Sequence, residues 1–141
     1  MMHISAKGNY GLRAVLDLAM HYGQGHLQSA NIASRQQIPE AYLVQLLNLL
    51  RKAGIVQSTR GPKGGHVLLQ RPEDVTVQDV LAVLEGPIDL PGGKNHGGAS
   101  EVLEEVWTDV EAAINGVLSS VTFRDLCRKQ QIRQANFTFR I

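Results

Sequence analysis

The chain has 141 residues, of which 43% are hydrophobic and 19% charged, which is enough apolar material for one folded domain. Its single cysteine, Cys127, excludes an internal disulfide framework and any metal site built from several cysteines of one chain. No apolar run of about 18 residues and no signal-peptide pattern are found, so a cytoplasmic protein is expected.

The small net charge of +1 conceals an uneven distribution. Residues 1–72 carry eight Lys or Arg and two acidic residues, whereas residues 73–141 carry six basic and eleven acidic residues. A basic first half favours contact with a polyanion, although a chance excess of solvated charge is the alternative.

The first 54 residues predict three helices. Ser5 is expected to cap a first helix that ends near Tyr22, and Ser29 a short second one. Pro39 is predicted at the first position of the third helix, which ends at Ala53-Gly54. Its spacing predicts four buried leucines: Leu43, Leu46, Leu47 and Leu50.

The period then changes to that of short strands. Residues 55–59 and 66–70 are β-prone, and the six residues between them include three glycines and a proline, as in an exposed hairpin tip. Thr76 and Asp79 resemble a capping box at the start of a fourth helix, 77–84.

Residues 87–98 are rich in glycine and proline and are predicted to be a linker between a domain at 1–86 and a region at 99–141. Ser100 is expected to cap the longest helix, which ends near Ser119, and Thr122 with Asp125 a short last helix followed by a tail. The long helix has the apolar seam of a pairing helix, made of Leu103, Val106, Trp107, Val110, Ala113, Ile114 and Val117. The preceding linker favours an arm that crosses to a partner; packing on its own domain is the alternative.

Three helices followed by a hairpin predict a mainly α fold with a small β-hairpin wing, the winged helix-turn-helix. Such a fold places its third helix in the major groove of double-stranded DNA. Gln45 and Asn48 are expected to bond adenine, Arg51 phosphate, and wing residue Arg60 the minor groove. The full predicted DNA-contacting set is Lys7, Ser29, Ala41, Tyr42, Val44, Gln45, Asn48, Arg51, Arg60, Gly61 and Lys63. Lys7 and the start of the first helix are expected to hold a phosphate.

Each feature alone also fits an ordinary amphipathic helix or turn; their order on a basic half-chain favours DNA binding. No nucleophile–base motif, paired carboxylates or phosphate-binding loop is found, so an enzyme is not expected.

Four segments resemble the Rrf-two family of bacterial winged-helix transcription regulators: residues 4–12 (ISAKGNYGL), 42–46 (YLVQL), 50–56 (LRKAGIV) and 60–68 (RGPKGGHVL). The resemblance covers essentially the whole chain. It implies a homodimer joined by the long helices, with two recognition helices on a pseudo-palindromic operator. Many members carry glutamate where this chain has Val44, so a different operator preference is expected.

The resemblance also bears on cofactors. IscR-like members hold an iron–sulfur cluster with three cysteines and a histidine in the region of residues 89–107, where this chain has no cysteine. No cofactor or metal is therefore expected. His96 is interpreted as a solvated loop residue, although unusual sets drawn from His3, His21, His26 and His96 stay open. Cys127 is expected to be buried and structural; the alternative is a redox thiol activated by Arg124, Arg128 and Lys129.

The CymR-like branch of cysteine metabolism repressors is the closer resemblance, which implies O-acetylserine sulfhydrylase (cysteine synthase) as a partner. Phe139 and Ile141 are hypothesised to form a tail that docks on that enzyme; a tail strand that packs on its own chain is the alternative. An adaptor that binds a metabolic enzyme, with DNA binding secondary, is the competing function.

Overall fold

The computed structural model describes residues 4–87, Leu90 and residues 101–140, with the side chains of 138–140 left aside. Three helices come first: α1 (Ala6–Met20), α2 (Ser29–Gln36) and α3 (Glu40–Lys52). Two antiparallel strands follow, β1 (Val56–Thr59) and β2 (Gly65–Leu68), paired so that Val56 faces Leu68 and Thr59 faces Gly65. A single 3-10 turn leads to α4 (Val77–Glu85), α5 (Glu101–Ser120) and α6 (Phe123–Arg140). The predicted winged helix-turn-helix is confirmed.

The hydrophobic core lies between α1, α2, α3 and α4. The four predicted leucines of α3 are all buried, as is Val15 of α1. On the apolar side of α1, Leu12 and Leu16 are only partly buried and pack against the core. Burying one face of each helix fixes which side of α3 points to solvent.

A buried ion pair ties α1 to α2. Asp17 is 4% exposed, and Arg35 donates from Nε to both carboxylate oxygens and from Nη2 to Oδ2 at 2.9 Å. His21 Nδ1 also lies 2.8 Å from the backbone oxygen of Asp17. This fork geometry suits an arginine paired with a buried carboxylate.

Two predicted helix starts are shifted by one residue. Gln28 occupies the N-cap position of α2, and Ser29 is the first helical residue, so the prediction of Ser29 as the cap is wrong. Pro39 occupies the N-cap position of α3 instead of its first turn. The proline has no N–H to satisfy and its ψ of 126° is non-helical, which suits a position just outside the helix.

The capping box at α4 is confirmed, because the Thr76 hydroxyl accepts from the Asp79 N–H at 3.1 Å and Asp79 accepts from the Thr76 N–H at 2.9 Å. Thr122 and Asp125 make the same reciprocal bonds at the start of α6.

The prediction of a short last helix with a tail is wrong: α6 has 18 residues and continues to Arg140. No glycine or proline interrupts residues 123–140, and most of these residues favour helices even where they bury no continuous face. Phe123 is fully buried in the main core, with Cys127 one turn further along, so the start of α6 packs on the winged-helix domain.

The 20 residues of α5 begin at Glu101; the predicted cap Ser100 and most of the predicted linker lie outside the described residues. Over the part of the chain that is described, no helix is long and apolar enough to span a membrane.

Candidate nucleic-acid interface

The solvent-facing side of α3 is a row of four exposed residues. Ala41, Val44, Gln45 and Asn48 follow each other at spacings of three, one and three, which places them on one face of the helix. The buried leucines occupy the opposite face. The helix therefore presents two apolar and two amide side chains, the groups that contact base edges in a major groove.

Tyr42, which was expected among the DNA-contacting residues of α3, is only partly exposed. Its ring meets the ring of Tyr10 edge to face, with centroids 5.8 Å apart and planes at 77°. The Arg13 guanidinium lies over the Tyr10 ring, 4.8 Å from its centroid. Tyr42 therefore helps hold α3 against α1.

Asn48 is bonded to a neighbour on its own helix. Arg51 Nη2 donates to Asn48 Oδ1 at 2.7 Å, across one helical turn. The amide oxygen that was expected to accept from adenine is thus already engaged. Arg51 and Lys52 lie in the last turn of α3, where positive charge complements the helix dipole.

The wing is a short hairpin whose tip presents two basic side chains. Arg60 and Lys63 are exposed on either side of Gly61, whose φ is 110°. Gly64 packs so closely that a Cβ there would lie 2.2 Å from the Thr59 backbone oxygen. The glycines therefore allow the sharp tip that leaves both cations exposed.

The wing is joined to the segment between α1 and α2. Leu27 forms a two-bond bridge with His66, at 2.9 and 2.8 Å. His26 Nε2 lies 3.2 Å from Thr59 Oγ1, and Gln28 Nε2 donates to the Pro62 oxygen at 3.4 Å. The start of α2 and the wing are thereby fixed relative to each other.

The sequence analysis did not predict the bridge between Leu27 and His66, because a single bridging residue shows none of the alternation of apolar and polar residues that marks a strand. The lone apolar Leu27 between polar neighbours was the only signal. His66 also lies 2.7 Å from Ser58 Oγ, and burial, together with the nearby His26, lowers the pKa of His66. The neutral form of the His66 imidazole is therefore favoured.

The start of α1 does not offer the phosphate site that was predicted with Lys7. Glu85 Oε1 accepts from the backbone N–H groups of Ser5 and Gly8, each at 3.0 Å, and from the Ser5 hydroxyl. A carboxylate already occupies the anion-binding position at this helix N-terminus. Lys7 is partly buried close to Glu85. Ser29, in the first turn of α2, is also partly buried.

A second surface is apolar and lies on α5. None of the described side chains of α5 is buried, although the helix carries seven predicted seam residues. Leu103 and Val117 are 58% and 64% exposed, and Val106, Trp107, Val110 and Ala113 are exposed as well; only Ile114 is partly covered. Near its end α5 meets α4, where Gln78 donates to Asn115 at 3.2 Å.

Comparisons with known proteins agree with this architecture. A family model for the Rrf-two proteins, described as iron-dependent transcriptional regulators, matches residues 4–129. The regulator CymR of Bacillus subtilis is 38% identical over 99% of this chain and its own full length. The regulator IscR of Photobacterium profundum is 36% identical over 94% of this chain and 80% of its own.

Solved structures give the same result. CymR of B. subtilis, titled the global cysteine regulator of that organism, superposes with a TM-score of 0.83 at 38% identity, covering 92% of this chain and 98% of the other. IscR of T. potens superposes with a TM-score of 0.80 at 39% identity, covering 94% and 91%.

The family description names iron, but the donors of this chain do not fit a cysteine-ligated cluster. Cys127, the only thiol, is buried in the core, and residues 88–100 supply only Asp89 and His96 as ligand types. Within the described ranges, no three His, Cys, Asp or Glu side chains are grouped to hold a metal ion. Clusters of this kind require several thiolates.

Proposed function

The chain belongs to the Rrf-two family of DNA-binding transcriptional regulators, and we propose that it acts as a homodimeric repressor on a pseudo-palindromic operator. It does so without an iron–sulfur cluster and controls genes of cysteine and sulfur metabolism. The single observation that carries the proposal is the row of four exposed residues on α3, together with a wing tip that presents two basic side chains. The family is one of regulators rather than enzymes.

In this proposal α3 enters the major groove and the wing contacts the adjacent minor groove. Ala41, Val44, Gln45 and Asn48 face the bases, and Tyr42 the edge of the groove. Arg60 enters the minor groove, where a narrow groove enhances negative potential, and Gly61 lets the backbone approach. The remaining contacts go to phosphate and come from Ser29, Arg51 and Lys63.

The dimer is proposed from the apolar face of α5. Burying these exposed apolar side chains between two copies stabilises the dimer by about 25 cal/mol for each Å² of apolar surface removed from water. Leu103, Val106, Val110, Ala113 and Val117 follow the spacing of a helix-pairing seam. Residues 99–141 therefore act as the dimerisation region and residues 1–86 as the DNA-binding domain, separated by the segment 87–98.

Repression of cysteine genes is proposed because the chain is similar to CymR. Its single, buried cysteine is also unsuited to hold an iron–sulfur cluster. The protein acts in the cytoplasm, where its DNA lies. O-acetylserine sulfhydrylase is the proposed enzyme partner, docking on the C-terminal end. Phe137 in this region is 69% exposed, Phe139 lies within α6, and Ile141 lies outside the described residues.

The DNA-binding part is tested by footprinting on genomic fragments, followed by gel shifts at several salt concentrations. Arg60→Ala and Lys63→Ala are each expected to weaken binding, and Lys63→Ala to lower the salt slope by about one. Arg133→Ala on α6 removes one exposed charge away from the wing and is the matched control. Equal losses in all three variants contradict the proposed interface.

The dimer is tested by sedimentation. Val106→Lys on the seam is expected to yield monomers, and Thr108→Lys on the opposite face of α5 to leave the dimer intact. For the enzyme partner, deletion of residues 138–141 is expected to abolish co-purification with the sulfhydrylase. Unchanged co-purification removes docking through the C-terminal end.

A further inference from the structure

Asn48 and Arg51 form a bonded pair on the DNA-facing side of α3. The 2.7 Å bond from Arg51 Nη2 to Asn48 Oδ1 is short and charge-assisted, and both side chains are exposed. We propose that the two residues act as one unit that offers only hydrogen-bond donors and selects guanine over adenine at the base pair it faces. This inference rests on the proposed DNA-binding function and specifies its sequence preference.

The argument follows from the donors and acceptors of each group. An unbonded asparagine recognises adenine by accepting from N6 while donating to N7. Here the amide oxygen already accepts from a cation, which makes its remaining lone pair a weaker acceptor. The guanidinium adds donors and no acceptor. The base therefore meets only the two amide hydrogens of Asn48, while the remaining hydrogens of Arg51 are directed to phosphate.

Guanine is the base whose major-groove edge presents two acceptors, N7 and O6. Adenine presents one acceptor and one donor, so a donor-only pair leaves the adenine N6 hydrogens without a partner. Leaving such a buried group unpaired costs binding free energy. The Arg51 bond therefore reverses the preference that an unbonded asparagine has.

Asn48 and Arg51 are close together in the chain. Residues three apart on a helix have neighbouring side chains, and Arg51 reaches back one turn toward Asn48. Asn48 also continues the row formed by Val44 and Gln45. Lys52, one residue beyond Arg51, is exposed, carries the same charge and provides a matched comparison.

The experiment is selection of operators from randomised duplexes by the full-length protein and its variants. Wild type is expected to select guanine at one position of each half-site. Arg51→Ala frees the Asn48 oxygen and shifts the adenine-to-guanine ratio there by about tenfold toward adenine. Lys52→Ala lowers affinity at every sequence while the base preferences stay unchanged, and Asn48→Ala abolishes the preference at that position.

The double variant Asn48→Ala/Arg51→Ala is expected to show the same base preferences as Asn48→Ala. The inference is overturned if Arg51→Ala changes no base preference, or if wild type selects adenine at the position that depends on Asn48. A wild-type protein that selects no duplex at all refutes the proposed function instead. Circular dichroism of each variant verifies that α3 is folded.

Discussion

Glu85 at the end of α4 closes the start of α1 by accepting hydrogen bonds from Ser5, a residue 80 positions away in sequence. The Gly8 N–H donates to the same oxygen at 3.0 Å, and a Cβ at Gly8 would lie 2.4 Å from it. A larger residue at Gly8 would therefore displace the Glu85 carboxylate. These bonds, the one from the Ser5 hydroxyl above all, lower the pKa of Glu85.

A lowered carboxylate pKa predicts a specific pH dependence. Glu85 stabilises the folded state above its unfolded pKa, and this contribution is lost as the pH falls through the folded pKa. Glu85→Gln is expected to be less stable than wild type at pH 7, with the difference vanishing in acid. Urea unfolding midpoints from pH 7 to pH 3 measure this; a difference that is constant with pH contradicts it.

The Asp17–Arg35 pair is expected to matter far more for stability than an exposed pair. Arg35→Ala leaves the nearly buried Asp17 carboxylate without its guanidinium and should cost about 3 kcal/mol. Arg71→Ala breaks an exposed pair with Asp74 and should cost less than about 1 kcal/mol. Chemical unfolding of both variants makes the comparison. Similar losses would show that burial of Asp17 is not decisive.

Val44 is expected to contribute to base preference through its methyl groups. It is 46% exposed on the DNA-facing row of α3, and an apolar side chain there contacts a thymine methyl. Val44→Glu should shift selection from thymine toward cytosine, by about five- to tenfold at one position. Operator selection measures the shift, with Val44→Leu as the apolar control. The hypothesis fails if Val44→Glu selects the same sequences in the same ratios.

The Cys127 thiol is expected to react slowly with disulfide reagents. Burial raises its pKa, which is the opposite of the activation that Arg124, Arg128 and Lys129 were considered to provide. The native protein should react with a disulfide reagent far more slowly at pH 7 than the urea-unfolded chain, because the thiolate is the reactive form. Reaction of the native thiol at or above the unfolded rate would restore the redox alternative.

Much of the candidate DNA interface could be predicted from the spacing of residues close together in the sequence. The leucine spacing of α3 predicted both its buried face and the exposed row containing Val44 and Gln45, and glycine and proline predicted the wing tip. The bond between Asn48 and Arg51 is also local, but its formation depends on the rotamers of the two side chains, which spacing alone does not give. The start of α2 was misplaced by one residue because Gln28 takes the N-cap position without a side-chain capping bond, against the usual preference for serine.

The sequence by itself determined the winged helix-turn-helix, because helix and strand periodicity, caps and turns depend on residues close together in the chain. Only the tertiary structure decided that Glu85 occupies the start of α1, that Arg35 pairs with Asp17, and that Leu27 bridges to His66. These contacts join residues 18 to 80 positions apart. Packing of whole helices brings them together, and no local pattern of residues encodes that approach.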